Sequence, residues 1–282
     1  MSDDSSERAA SRTALGVAAI RAVHRLYDGE PKILDDSVSV GLLGGESNPQ
    51  IAAHRALAQE GADKDLRVRV VLRSRYAEDR LAEAVRRGLR QCVVLGAGFD
   101  TFAYRQPQWA KDLRIFEVDH GATQSEKRRR LAAADVEIPP NLEFIEIDFE
   151  KMSLRDGLRQ STLDFSQPAF FSCLGVLVYL TREAADAVFK LVAEFPAGSE
   201  IVFTYATAGA GNSPIAERVR AAGEPWLTRF DPAALKSDLT ALGFSDVSFL
   251  RSEEAAERYF QGRSDDLKAP PRTGIASAIV GR

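Results

Sequence analysis

The stretch Cys92-Val93-Val94-Leu95-Gly96-Ala97-Gly98-Phe99-Asp100-Thr101 is a short apolar run that closes in a Gly-x-Gly turn. A second run, Leu113-Arg114-Ile115-Phe116-Glu117-Val118-Asp119, follows it and ends in an acid. Short apolar runs bounded by turn residues read as buried strands. Glycine at a strand end admits a ligand close to the backbone, because no Cβ stands in the way. An acid at the tip of the next strand accepts hydrogen bonds from two adjacent ribose hydroxyls. Together these features predict a nucleoside-binding crevice at the carboxyl ends of a parallel sheet. A third strand pattern, Leu142 to Ile147, stops just before Asp148-Phe149. There the carboxylate of Asp148 is placed to accept from an adenine amine, and Phe149 offers a backbone N–H and a ring face.

Outward from these runs the chain alternates strand and helix. Strands are predicted near Gln91–Leu95, Arg114–Val118, Leu142–Ile147, Ala169–Leu174 and Glu200–Tyr205, and a pair near Asp246–Leu250 and Gly274–Val280 closes the sheet. Helices are predicted around Ala122–Ala134, around Ser153–Arg159, from a Thr181 cap to about Phe195, and from an Asp231 cap with Pro232 at the first position to Leu242. Such alternation argues for a mainly parallel, seven-stranded α/β sheet with helices on both faces. The first 88 residues carry only helical patterns: Glu7 to Tyr27, Leu34–Leu43, Ile51–Leu57 and Arg67 to Arg87. They are expected to form a cap (1–88) over a ligand-binding domain (89–282).

The chain has 282 residues, enough to bury roughly 75% of its unfolded surface without disulfide staples. Hydrophobic residues make up 45% and charged residues 28%, an ordinary soluble composition. A net charge of −4 gives no electrostatic case for a nucleic-acid partner. Both cysteines, Cys92 and Cys173, sit in strand-like runs, which suits a reducing cytoplasm. The opening Met1-Ser-Asp-Asp-Ser-Ser-Glu lacks the basic and apolar regions of a signal peptide, and no apolar run approaches the ~20 residues that span a bilayer. The expected partner is a small-molecule acceptor, with neither nucleic acid nor membrane involved.

Several residues admit two roles. Gly-x-Gly alone is a weak signal, and a dinucleotide fingerprint needs a third glycine where Thr101 stands. That favours a ligand without pyrophosphate, such as S-adenosylmethionine, over a nicotinamide cofactor. Asp119 reads as a ribose ligand or a helix cap, and Asp148 as an adenine ligand or a helix cap. Glu117 is expected on the other face of its strand from the ligand. Arg73 and Arg75, two apart, cannot share a helix face; either is a ligand partner or a surface charge. Arg105 is a substrate clamp or a loop salt-bridge partner. His120 either stacks near adenine or starts a helix. His24 and His54 are expected on the surface of the cap. Tyr179 and Tyr205 line an acceptor pocket or pack in the core; with His120 they are the candidate bases. No His, Cys and carboxylate cluster has metal-ligand spacing. Phe-Ser172-Cys-Leu-Gly is not a nucleophile elbow.

The run from Val93 to Arg105 resembles the first-strand motif of the leucine carboxyl methyltransferase family, in particular its bacterial branch with polyketide-pathway O-methyltransferases. Ser11-Arg-Thr-Ala14 with Arg21-Ala22, Val71-Leu-Arg-Ser-Arg-Tyr76, Phe116-Glu-Val-Asp119, Asp148-Phe149, Gly175-Val-Leu-Val-Tyr-Leu180 and the ending from Gly274 to Arg282 resemble further motifs in the same order. The resemblance implies a class I, Rossmann-like methyltransferase fold with S-adenosylmethionine as methyl donor. It implies that Arg73 pairs with the methionine carboxylate, that Gly96, Ala97 and Gly98 lie under that moiety, that Asp119 holds ribose with His120 beside it, and that Asp148 and Phe149 hold adenine. One departure stands out. The family carries Glu, which helps hold the ammonium, where this chain has Leu174. Backbone carbonyls near Ser172 and Cys173 are then expected to take over. The expected activity is methyl transfer to a carboxylate or hydroxyl oxygen of a small molecule of secondary metabolism. The alternatives are a non-catalytic or weakened S-adenosylmethionine-binding homologue, or a nicotinamide-dependent oxidoreductase.

Overall fold

A computed structural model describes residues 11–57, 61–147, 152–207, 217, 220 and 225–281. Four helices precede the first strand: α1 (Arg12–Tyr27), α2 (Ser37–Leu42), α3 (Pro49–Leu57) and α4 (Gly61–Arg86). The strands are β1 (Gln91–Leu95), β2 (Arg114–Asp119), β3 (Leu142–Glu146), β4 (Phe170–Cys173), β5 (Glu200–Thr204), β6 (Phe244–Phe249) and β7 (Ile275–Val280). Between and after them lie α5 (Gly121–Ala133), α6 (Leu154–Arg159), α7 (Arg182–Ala193), α8 (Pro232–Ala241) and α9 (Ser252–Tyr259).

The strands form one seven-stranded sheet in the order β3-β2-β1-β4-β5-β7-β6. The first five are parallel, and β7 runs antiparallel to both β5 and β6. β1 pairs with β2 on one side and β4 on the other, so the strand order reverses there. A crevice opens at the carboxyl ends of strands at such a reversal, because the connections leave toward opposite faces.

Residues alternate across the sheet, and both faces are buried. Val93 and Leu95 point into one apolar cluster with Phe171, Phe203, Phe189 and Leu239. Cys92 and Val94 point into the other, which takes in Val71, Leu72 and Leu81 of α4 and Tyr259 of α9. A smaller cluster joins Ala19, Ala22 and Val23 of α1 to Leu43 and Ile51. α4 is therefore pressed on the sheet itself. Two arginines strengthen that seam: Arg80 of α4 (2.6 Å) and Arg87 just after it both pair with Glu200, which is fully buried at the start of β5.

The predicted caps are in place. Thr181 Oγ1 accepts from Ala184 N–H, and Asp231 Oδ1 from Ala233 and Ala234. Two features have no counterpart among the predicted elements. The turn after β1 leads into no α-helix, only the single-turn 3₁₀ segments Phe102–Tyr104 and Gln108–Ala110. Pro107 disfavours helical geometry at Gln106 and falls between the two segments. The helix α9 has no strong cap signal: Arg251 at its N-cap makes no side-chain cap bond.

Candidate active site

A cleft of about 730 Å³ opens above the β1–β4 junction, within the range of small-molecule sites. Its floor is the Gly96-Ala97-Gly98 turn. Gly96 has φ +64°, and a Cβ there would lie 2.4 Å from Val176 Cγ2. A side chain is thus barred both by backbone conformation and by the β4 loop, and the ligand side of the turn stays bare.

Asp119 at the tip of β2 lines the same cleft. Its Oδ2 accepts from Gly98 N–H at 2.6 Å and its Oδ1 from His120 N–H at 2.7 Å. Two backbone donors hold the carboxylate in place, and each oxygen keeps a lone pair for a ligand hydroxyl. His120 is both the cap of α5, its Nδ1 accepting from Ala122 N–H at 3.2 Å, and a cleft residue. Glu117 is not on the opposite face. Residues two apart on a strand share a face, so Glu117 lies on the side of Asp119, one pleat deeper. It is buried at 1% exposure against Lys127 Nζ (2.6 Å), and burial pushes its carboxyl up to about 7 despite that ammonium.

Arg73 reaches the cleft from α4. Its Nη1 would lie 2.9 Å from a Cβ on Gly175, so the guanidinium sits against the bare backbone after β4. Burial, with repulsion from Arg21, lowers its pKa to about 10, and it stays cationic at neutral pH. Among the described residues no carboxylate pairs with it. Arg75 is exposed, pairs with Asp79 at 2.9 Å and does not line the cleft. Arg105 pairs with Glu78 and Asp36 and is no part of the cleft lining.

Leu174 lines the cleft where the family's acid is expected. Cys173 does not: at the end of β4 its side chain is fully buried in an apolar cluster, and burial raises its thiol to about 12. β4, which carries the Ser172 and Cys173 carbonyls expected to replace that acid, pairs with β1 as far as Ser172 and with β5 as far as Cys173. Tyr179 lines the cleft, whereas Tyr205 packs edge-on to Phe249 (5.6 Å between ring centroids) outside it. Burial raises the Tyr205 phenol further from any role as a base. Asp148 and Phe149 lie outside the described residues. Among the described residues no three His, Cys, Asp or Glu side chains are grouped to hold a metal ion, and no helix is long and apolar enough to cross a membrane.

Residues of α1 form the opposite wall. Ala14, Val17 and Arg21 face the cleft at helical spacing. Arg21 Nη2 donates to Phe99 O at 2.5 Å and its Nε to Asp36 Oδ2 at 2.8 Å, which ties α1 and α2 to the glycine turn. The i, i+3, i+7 pattern was present in the sequence, but not which face it presented. His24 is not on the surface. It is fully buried, its Nδ1 2.6 Å from Asp28 and its Nε2 accepting from Ile33 and Leu34 N–H.

Residues 14–193 match the family model described as leucine carboxyl methyltransferase. The chain belongs to the leucine carboxyl methyltransferase family. A Bacillus subtilis protein provisionally named an S-adenosyl-L-methionine-dependent methyltransferase, YktD, is 31% identical, covering 92% of this chain and 94% of its own. A Mycolicibacterium paratuberculosis protein with the same provisional name is 30% identical over 93% of this chain and 85% of its own. Among solved structures, a DUF574 family protein of Streptomyces avermitilis superposes with a TM-score of 0.58 at 17% identity, covering 86% of this chain and 94% of that one. A Thermobifida fusca protein described as a candidate methyltransferase gives 0.53 at 22% identity, covering 86% and 91%. The fold is that of the class I methyltransferases, a mostly parallel sheet closed by one antiparallel pair.

Proposed function

We propose that this family member is an S-adenosylmethionine-dependent O-methyltransferase acting on a small-molecule carboxylate, with a hydroxyl as the alternative acceptor. The observation that carries the reading is the cationic guanidinium of Arg73, facing the same cleft as the carboxylate of Asp119 across a bare glycine turn. Arg73 binds the carboxylate at the amino-acid end of the cofactor. Asp119 accepts from the ribose hydroxyls, and Gly96, Ala97 and Gly98 let the chain between them lie on the backbone. His120, at the start of α5, borders the nucleoside.

Bound there, S-adenosylmethionine supplies a strongly electrophilic sulfonium methyl. The work left to the protein is alignment of the acceptor oxygen with it. Ala14 and Val17 of α1 and Leu180 present an apolar wall that keeps water from the acceptor oxygen. An ionised carboxylate needs no general base, and Tyr179 and His120 are the groups within the cleft for a hydroxyl acceptor. The absence of an α-helix after the glycine turn, with Thr101 buried where a third glycine is needed, argues against a pyrophosphate ligand and hence against a nicotinamide oxidoreductase.

The test is binding followed by turnover. S-adenosylmethionine and S-adenosylhomocysteine are expected to raise the melting temperature, and NAD to leave it unchanged. Methyl transfer is then sought on panels of small carboxylates and phenols. Binding with no transfer to either panel would support the non-catalytic alternative, and stabilisation by NAD alone would overturn the reading.

A further inference from the structure

An amino-acid moiety held by Arg73 brings an ammonium into the same part of the cleft, and a cation there needs an acceptor. Leu174 cannot supply one. Gly175 N–H is a donor, already bonded to Thr204 Oγ1 at 2.7 Å. β4 is an interior strand paired with β1 and β5, and a carboxylate is a stronger acceptor for an ammonium than a neutral backbone carbonyl. Two carboxylates line the cleft, Asp119 and Asp100. Asp119 sits at the tip of β2 and is fastened to Gly98 and His120. Asp100 follows the glycine turn, and Arg73 lies within its electrostatic field. Its Oδ1 accepts from Phe102 N–H at 2.9 Å, which orients the carboxylate. Among the described residues Asp100 has no ion-pair partner, although Arg73 and Arg105 both feel its charge.

From this pairing of an unbridged cation and an unbridged anion lining one cleft we infer that Asp100 is the ammonium-binding residue. It forms with Arg73 a two-point receptor for a zwitterionic amino acid. The inference rests on the S-adenosylmethionine reading above and assigns the part of the cofactor site that Leu174 leaves without a carboxylate.

The experiment compares calorimetric binding of three probes to wild type, Asp100→Asn and Arg73→Gln. The probes are S-adenosylhomocysteine, its analogue lacking the α-amino group, and its analogue lacking the carboxylate. Asn keeps the Oδ1 acceptor for Phe102 N–H, and thermal melts of the three proteins check the fold. Asp100→Asn is expected to weaken S-adenosylhomocysteine at least tenfold while changing the deaminated analogue less than twofold. Arg73→Gln is expected to show the mirror pattern, sparing the decarboxylated analogue. Equal loss for S-adenosylhomocysteine and its deaminated analogue would mean that Asp100 only supports the loop, and no loss for S-adenosylhomocysteine would also overturn the assignment. Wild-type protein that binds none of the probes would instead overturn the cofactor reading itself.

Discussion

Asp119 and Glu117 are two residues apart on one strand, yet one faces the ligand cleft and the other is sealed in by Lys127 and Tyr104. Depth along the strand separates them. Removing the first should act on binding: Asp119→Ala is expected to weaken S-adenosylhomocysteine by at least tenfold in calorimetry, and unchanged affinity would remove its ribose role. The second acts on stability. Burial raises the Glu117 carboxyl from its ordinary 4.5 to about 7, so the native state holds a proton that the unfolded chain has released. A raised carboxyl makes folding less favourable as pH climbs through that window, from about 4.5 to 7. In denaturant melts, Glu117→Gln should flatten the pH dependence across this range. A slope identical to wild type would show that Glu117 does not titrate there. Of these two residues Asp119 was legible from the strand pattern alone. Lys127, the partner that decides Glu117, lies on a helix whose orientation no local pattern states.

At the scale of elements, the link between α1, α2 and the glycine turn is a buried charge cluster. Burial opposes ionisation of Asp36, but the guanidiniums of Arg21 and Arg105 outweigh it and hold its carboxyl below the ordinary value. A lowered carboxyl gives stability that is present above its unfolded pKa of 3.8 and is lost as pH falls through the lower native value. Asp36→Asn, which leaves Arg21 buried with half its anchoring, should cost about 3 kcal/mol at pH 7. It should also lose the steep acid limb of the wild-type curve, and a retained limb would assign acid sensitivity elsewhere. The predicted caps of α7 and α8 hold because a hydroxyl or carboxylate before a helix has a local job, independent of packing. Thr181→Ala is accordingly expected to cost about 1 kcal/mol in urea melts. α9, which no predicted element covers, shows the limit of that logic: it is held by Tyr259 and Ala255 filling the cluster beneath α4.

At the scale of the molecule, the strand order reverses beside β1, and this places the ends of β1, β2 and β4 around one cleft. A ligand bound there touches segments from Ser11 to Leu227, so occupancy should stabilise the fold as a unit. At a hundredfold excess over its Kd, S-adenosylhomocysteine is expected to add about 2.7 kcal/mol. A rise in melting temperature confined to one phase of a multiphasic transition would instead mean that the cleft does not couple the α1–α3 helices to the sheet.

The amino-acid sequence by itself determined the seven strands, most of the helices, and the residue types at the strand tips. Those follow from two-residue and 3.6-residue periods and from the chemistry of glycine and carboxylate, all of which act within a few positions along the chain. Only the tertiary structure decided which charges line the cleft and which meet each other. It turned Arg73 into the cleft and gave Arg75 and Arg105 to carboxylates, sent Cys173 and Tyr205 into the core, buried His24, and brought Asp100 into the field of Arg73. Those outcomes depend on contacts between residues tens of positions apart, and no local period encodes them.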